Sequence, residues 1–172
     1  DHETLYMQSL DIREYAMDSI ELLTGNRVNM GWNVVGGVKM DADERHFKPI
    51  LDNLKIIEER IPRLREIYAE GPAIGMRSRN VGVMTKKEAI KGKAVGPIGR
   101  GSGLKHDLRE DHYTYNDHFD FKTIWRKEGD NYARTLNRID EIPECISLIR
   151  QAIENMPKGD IRVPVDIKSG YA

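Results

Sequence analysis

The sequence predicts a mainly α fold, a bundle of long helices with a small irregular or α+β insertion. Three segments repeat apolar residues every three or four positions over several turns. The stretch between the second and third, residues 71–128, is instead broken by glycine, proline and charge. At 172 residues the chain fits one domain, since folding units usually run to roughly 100–200 residues. Residues 1–172 are therefore read as a single domain in which three helices share one core.

The first helix is predicted over residues 4–23, where apolar side chains at 5, 6, 10, 12, 16, 17, 20 and 23 make a stripe and Thr24-Gly25 supplies a stop. Residues 26–43 are a connector carrying Trp32 and the pair Gly36-Gly37, with a short strand at 33–39. The second helix covers 44–69 through Phe47, Ile50, Leu51, Leu54, Ile57, Ile61, Leu64 and Ile67. Pro62 removes a backbone donor inside it, so a kink or break is expected near 59–61.

Gly71-Pro72 ends that helix, and residues 81–84 read as a short extended piece. Thr85-Lys86-Lys87-Glu88 fits a capping box that opens a short helix ending near Gly92. In 106–128 the loose alternation of Phe119, Phe121 and Ile124 predicts a hairpin or an irregular crossover. Asp130 is the expected N-cap of the last helix, with a stripe of Tyr132, Leu136, Ile139, Ile142, Ile146, Ile149, Ile153 and Met156, a kink at Pro143 and a stop at Pro157-Lys158-Gly159. An extended tail follows.

Composition narrows the function. Hydrophobic residues make up 39% and charged ones 32%, and a mean hydropathy of −0.60 describes a fold with a heavily charged surface. No apolar run approaches the ~18 residues of a membrane span, and no export signal precedes Leu5. The single cysteine, Cys145, excludes an internal disulfide framework and suits a reducing compartment. A net charge of −1 gives no global pull toward nucleic acid or anionic lipid.

The densest chemistry lies at residues 95–109, where Gly96, Gly99, Gly101 and Gly103 surround Arg100 and Ser102 and lead into Asp107 and Arg109. Glycines permit positive φ and close backbone approach, and Pro97 fixes φ. From the residues alone the local reading is an arginine paired with Asp107 and a turn closed by Ser102 and the glycines. His106, His112 and His118 recur every six residues, a spacing that matches neither one helix face nor the usual zinc patterns. They read as solvated or hydrogen-bonded. Asp130, Arg134 and Arg138 are spaced by four, which makes either a charged helix face or a clamp reaching Asp117 or Asp120. Cys145 lies in the Ile142–Ile149 stripe and reads as a small core residue.

The Gly96-Pro97 to Leu108-Arg109 block resembles G-P-x-x-R-[GA]-S-G-x-x-x-D-L-R, a block shared by the large subunits of energy-converting nickel-iron hydrogenases and the 49 kDa subunit of respiratory complex I. The resemblance continues through Tyr115-Asn116-Asp117, Asp120-Phe121 and Gly129-Asp130-Asn131-Tyr132-Ala133-Arg134. Upstream it takes in Arg13-Glu14, Thr24-Gly25-Asn26-Arg27-Val28-Asn29 and Asn33-Val34-Val35-Gly36-Gly37-Val38. Asn29 and the run from Asn33 to Gly37 are similar to the hydrogenase branch in particular.

The resemblance implies a helical spine and a site loop near the catalytic cleft and an iron-sulfur small subunit. Arg100, Ser102, Asp107, Arg109 and Asn33 would line the site or face that partner, with Trp32 beside Asn33. Gly36, Gly37, Gly101, Gly103, Asp130 and Arg134 would be structural. The family's hydrogenases hold nickel and iron with four thiolates from two C-x-x-C pairs, and one cysteine cannot supply them. No catalytic residue, metal ligand or cofactor is therefore expected in this chain. The nickel-iron centre is expected elsewhere in a longer subunit of which this is the middle, and an iron-sulfur cluster in the partner. The implied assembly is cytoplasmic and peripheral, held to the inner face of the cell membrane by membrane subunits. A quinone-binding 49 kDa-type subunit is the second reading and a metal-free scaffold the third. Exposed apolar surface predicts self-association of the isolated chain.

Overall fold

A computed structural model of the chain describes residues 2–110 and 119–166. Its elements run α1 (His2–Thr24), β1 (Asn33–Val34), β2 (Gly37–Val38), α2 (Glu44–Glu70), α3 (Pro72–Ser78), α4 (Lys86–Lys91), α5 (Gly96–Gly101), a 3-10 turn (Leu108–Glu110) and α6 (Asn131–Glu154). Helix accounts for 61% of the structure, so the class is mainly α.

The three long helices form where the stripes placed them. α2 packs against both α1 and α6. Leu54, Ile57 and Ile61 of α2 share one buried cluster with Ile12 of α1 and with Ile139 and Ile146 of α6. Burying an aliphatic side chain of this size is worth roughly 1.5–3 kcal/mol, so the cluster dominates cohesion. Caps close the helix starts: Asp43 accepts from the Arg45 N–H at 3.0 Å, and Asp130 Oδ1 from the Ala133 N–H at 2.8 Å. α1 is covered on one side only, leaving Tyr6, Met7 and Leu22 exposed.

Neither Pro62 nor Pro143 breaks its helix; α2 and α6 run through them without interruption, and α2 also passes Pro49. All three prolines lie on the solvent side. There a carbonyl that loses its intrahelical N–H can be hydrated, which a core-facing proline would forbid.

The connector carries a hairpin where one strand was expected. Asn33 pairs with Val38 and Val34 with Gly37, antiparallel. The tail then lies alongside: the Val38 N–H donates to the Ile161 carbonyl at 2.9 Å and the Val163 N–H to the Gly36 carbonyl at 3.0 Å. Gly36 sits at φ +88°, and a Cβ on Gly36 or Gly37 would strike the carbonyl oxygens of Val163 or Ile161. The double glycine is thus required by the turn and by the tail.

The insertion departs most from expectation. α3 follows Gly71 directly, with Pro72 in its first turn, where a missing N–H costs nothing. Residues 81–84 form no strand. They run bent beside the start of α6, where the Met84 N–H donates to the Gly129 carbonyl at 2.9 Å and the Asn131 N–H to the Val81 carbonyl at 3.0 Å. α4 opens on the expected Thr85/Glu88 capping box and closes at Gly92. Residues 119–128 are irregular, with no strand, and 111–118 fall outside the described residues. Between α1, the connector and the end of α6 lies an apolar groove of about 520 Å³ lined by Ile20, Leu23, Trp32, Phe47 and Ile153, among others. Trp32 is half-buried there.

Candidate functional site

The stretch read as a glycine-spaced loop winds into α5 instead. Pro97 lies in its first turn, where its fixed φ suits a helix. Gly99 and Gly101 act by size: a Cβ at Gly99 would lie 2.6 Å from the Ala94 carbonyl oxygen, and one at Gly101 would lie 2.9 Å from Cγ of Arg134. With hydrogen in place of a methyl, α5 settles onto α6 and carries Arg100 over Glu141.

Arg100 is 7% exposed and Asp107 4%. Arg100 Nε donates to Glu141 Oε1 at 2.7 Å, and its Nη1 meets Asp107 Oδ2 at 2.9 Å. Arg109 grips the same carboxylate as a fork, with Nε on Oδ1 at 2.9 Å and Nη2 on Oδ2 at 2.8 Å, while its backbone N–H reaches Oδ1 at 3.0 Å. The fully buried Asn137 donates through Nδ2 to Glu141 Oε1 at 2.6 Å. Two guanidiniums and two carboxylates thus neutralise one another inside the fold, the condition under which buried charge is tolerated.

The side-chain hydrogen bonds of Arg109 hold the Asp107 carboxyl at about 2, below its usual 3.8, against the opposing effect of burial; the Arg109 N–H and the Arg100 charge add to the depression. In return Asp107 raises the Arg109 guanidinium. A carboxyl that acidic is ionised throughout the neutral range and is a poor proton donor or base. The knot can orient and hold neighbouring groups; it is not built for proton transfer.

The other residues singled out in the sequence divide cleanly. Ser102 donates from Oγ to the Ile98 carbonyl at 2.9 Å and closes the end of α5, facing no cleft. Gly103, at φ +92°, turns the chain beneath the methylenes of Lys86. Asp130 caps α6 and takes the Asn80 N–H on Oδ2 at 2.8 Å. Arg134 does not pair with Asp130; it donates to the carbonyls of Gly129 at 2.7 Å and Gly82 at 2.6 Å and to Asn131 Oδ1 at 2.7 Å. Nor do Arg134 and Arg138 pin the crossover at Asp120. Gln151 holds Asp120 by both backbone groups, and Glu144 takes the Lys122 N–H. Asp117 lies outside the described residues.

Asn33 is exposed on β1, in the hairpin and away from the elements of the knot. His106 is exposed, and His112 and His118 lie outside the described residues. Cys145 is exposed, not a core residue, with Arg109 Nη1 at 4.0 Å from its sulfur. The buried face of α6 follows Ile139 and Ile146, and Cys145, one residue before Ile146, falls about 100° around the helix from it.

Sequence reasoning missed Glu141 and Asn137. Their spacing of four was the available signal, since such a pair shares a side of the helix. It could not show that Arg100 would arrive there. Asp140 was missed as well; it binds Arg65 Nε of α2 at 2.6 Å and also Arg126.

Residues 2–169 match the family model of the respiratory-chain NADH dehydrogenase 49 kDa subunit. The chain belongs to that family. It is 35% identical over 163 residues to an NADH-quinone oxidoreductase subunit of Rhizobium meliloti, covering 94% of this chain and 40% of that protein. It is 36% identical over 159 residues to the alpha subunit of the membrane-bound hydrogenase of Pyrococcus furiosus, covering 87% and 37%. To a chloroplastic NAD(P)H-quinone oxidoreductase subunit of Cryptomeria japonica it is 35% identical over 158 residues, covering 91% and 40%. The chain spans about two fifths of the length of these relatives. Both branches named by the resemblance are therefore matched, at nearly equal identity.

Proposed function

We propose that this chain is the helical spine of the large subunit of a membrane-associated oxidoreductase complex, an energy-converting nickel-iron hydrogenase that couples hydrogen and proton chemistry to ion translocation. The observation that supports it is the 36% identity to a membrane-bound hydrogenase alpha subunit, together with the resemblance of Asn29 and of the run from Asn33 to Gly37 to the hydrogenase branch. A quinone oxidoreductase of the 49 kDa type is the second reading, favoured by the family description and by the quinone oxidoreductase relatives.

In either reading the Arg100–Asp107–Arg109–Glu141 knot fixes the wall of the site on the side of an iron-sulfur partner subunit. Arg109, at its edge, is the more exposed of the two guanidiniums. A nickel-iron centre does not fit the residues present. Four thiolates are needed, Cys145 is the one cysteine, and no group of three His, Cys, Asp or Glu among the described residues is placed to hold a metal. The centre would be held by other parts of the subunit. No helix among the described residues is long and apolar enough to cross a membrane, and attachment to the inner face of the cell membrane would come from membrane subunits.

The deciding experiment reads the native gene on both sides of these residues and assays the purified complex. Two C-x-x-C pairs with hydrogen-dependent dye reduction establish the hydrogenase. Neither pair, with quinone reduction, establishes the second reading; neither pair and neither activity leaves a scaffold.

A further inference from the structure

The knot leaves another set of charges unused. Between residues 86 and 109 the chain holds seven Lys and Arg against two acids, Glu88 and Asp107, although its net charge is −1. Asp107 is engaged by Arg100 and Arg109, and Glu88 by the cap of α4. Lys86, Lys87, Lys91, Lys93 and Lys105 are exposed, and none makes an ion pair among the described residues.

These lysines are interleaved along the chain with apolar side chains that water reaches. Ile90 is 59% exposed, Val95 73% and Leu108 68%. Val95, Leu104 and Leu108 border a depression of about 260 Å³, and the buried Arg100 and Asp107 also line it. α4 and α5 are in contact, the Lys86 side chain lies beside Gly103, and Lys93 and Lys105 adjoin in sequence Ala94 and Leu104, which line the depression. A hollow with an apolar border suits an anchoring side chain, and a basic surround steers an acidic partner toward it.

We propose that the α4–α5 face docks an acidic surface of a partner subunit, one protruding side chain entering the depression beside Leu108 while carboxylates around it meet the five lysines. The proposal rests on the reading of this chain as one subunit of a complex. A bilayer fits this face less well, because interfacial binding uses a raised apolar face and these side chains border a hollow. Single-stranded nucleic acid also fits poorly, since residues 86–109 contain no Phe, Tyr or Trp on which bases could stack.

The test is zero-length carbodiimide cross-linking of the native complex, read by mass spectrometry beside acetylation of lysines in the complex and in the chain alone. Lys91, Lys93 and Lys105 should link to Asp or Glu of another subunit and be acetylated several-fold more slowly in the complex. The variant K91E/K93E/K105E should lose those links and, with its circular dichroism unchanged, associate roughly tenfold more slowly at low salt. Equal acetylation in complex and free chain would overturn the proposal. So would links confined to a second copy of this chain, or protection by phosphatidylcholine–phosphatidylglycerol vesicles or by oligonucleotides with none in the complex. Recovery of the chain without any other subunit would defeat the subunit reading and this proposal with it; a copurifying complex with free lysines defeats this proposal alone.

Discussion

In the bundle, Leu54, Ile57 and Ile61 share one buried apolar cluster with Ile12, Ile139 and Ile146; one helical turn along α6 from Asn137, Glu141 meets Arg100, itself tied to Asp107. The same helix thus faces an oily core on one side and a salt-linked knot on another. The bundle gains by removing apolar area from water and tolerates modest changes of shape. The knot gains little net energy from its charges, because desolvation offsets most of their attraction, yet it tolerates almost no loss of a partner. One region supplies stability and the other supplies position.

Three outcomes would break or sharpen this contrast. Glu141→Ala leaves one carboxylate, Asp107, for the two guanidiniums of Arg100 and Arg109 and should cost about 3–5 kcal/mol in urea unfolding; a loss below ~1 kcal/mol would mean that the knot is wet and loose. Leu54→Ala should cost about 2–5 kcal/mol, as large-to-small core changes do. It should leave the reactivity of Lys105 and Cys145, at the other region, unaltered. The smallest effect is on acid stability. A carboxyl whose folded pKa lies below its unfolded value adds stability above the unfolded value and loses it as pH falls through the folded one. For Asp107 that loss runs from pH 3.8 down to about 2, and the Asp107→Asn variant should show a shallower decline across that window in pH-dependent denaturation.

The contrast also explains what could be read in advance. The core positions of α2 and α6 were legible because burial on a helix imprints a period of three to four residues, whatever the partner. For Pro62 a kink or a break was expected from the missing N–H, and that α2 stays continuous depends on which side faces solvent. That an arginine pairs with Asp107 was legible from nearness in sequence; that both Arg100 and Arg109 do so was not. Glu141 was not, since it lies far along the chain and reaches Arg100 only when α5 docks on α6.

What the sequence determined by itself is the class of fold, the caps Thr85 and Asp130, and the resemblance that places the chain in its family. These rest on local periodicity, on side chains bonding amides three residues away, and on contiguous motifs. Tertiary structure alone decided that the Gly99 and Gly101 stretch would be a helix and not a loop, that Gly36 and Gly37 would admit the tail, that Cys145 would face water and that Glu141 would complete the knot. Each of these depends on which surface arrives from elsewhere in the chain, and a local pattern carries no record of that arrival.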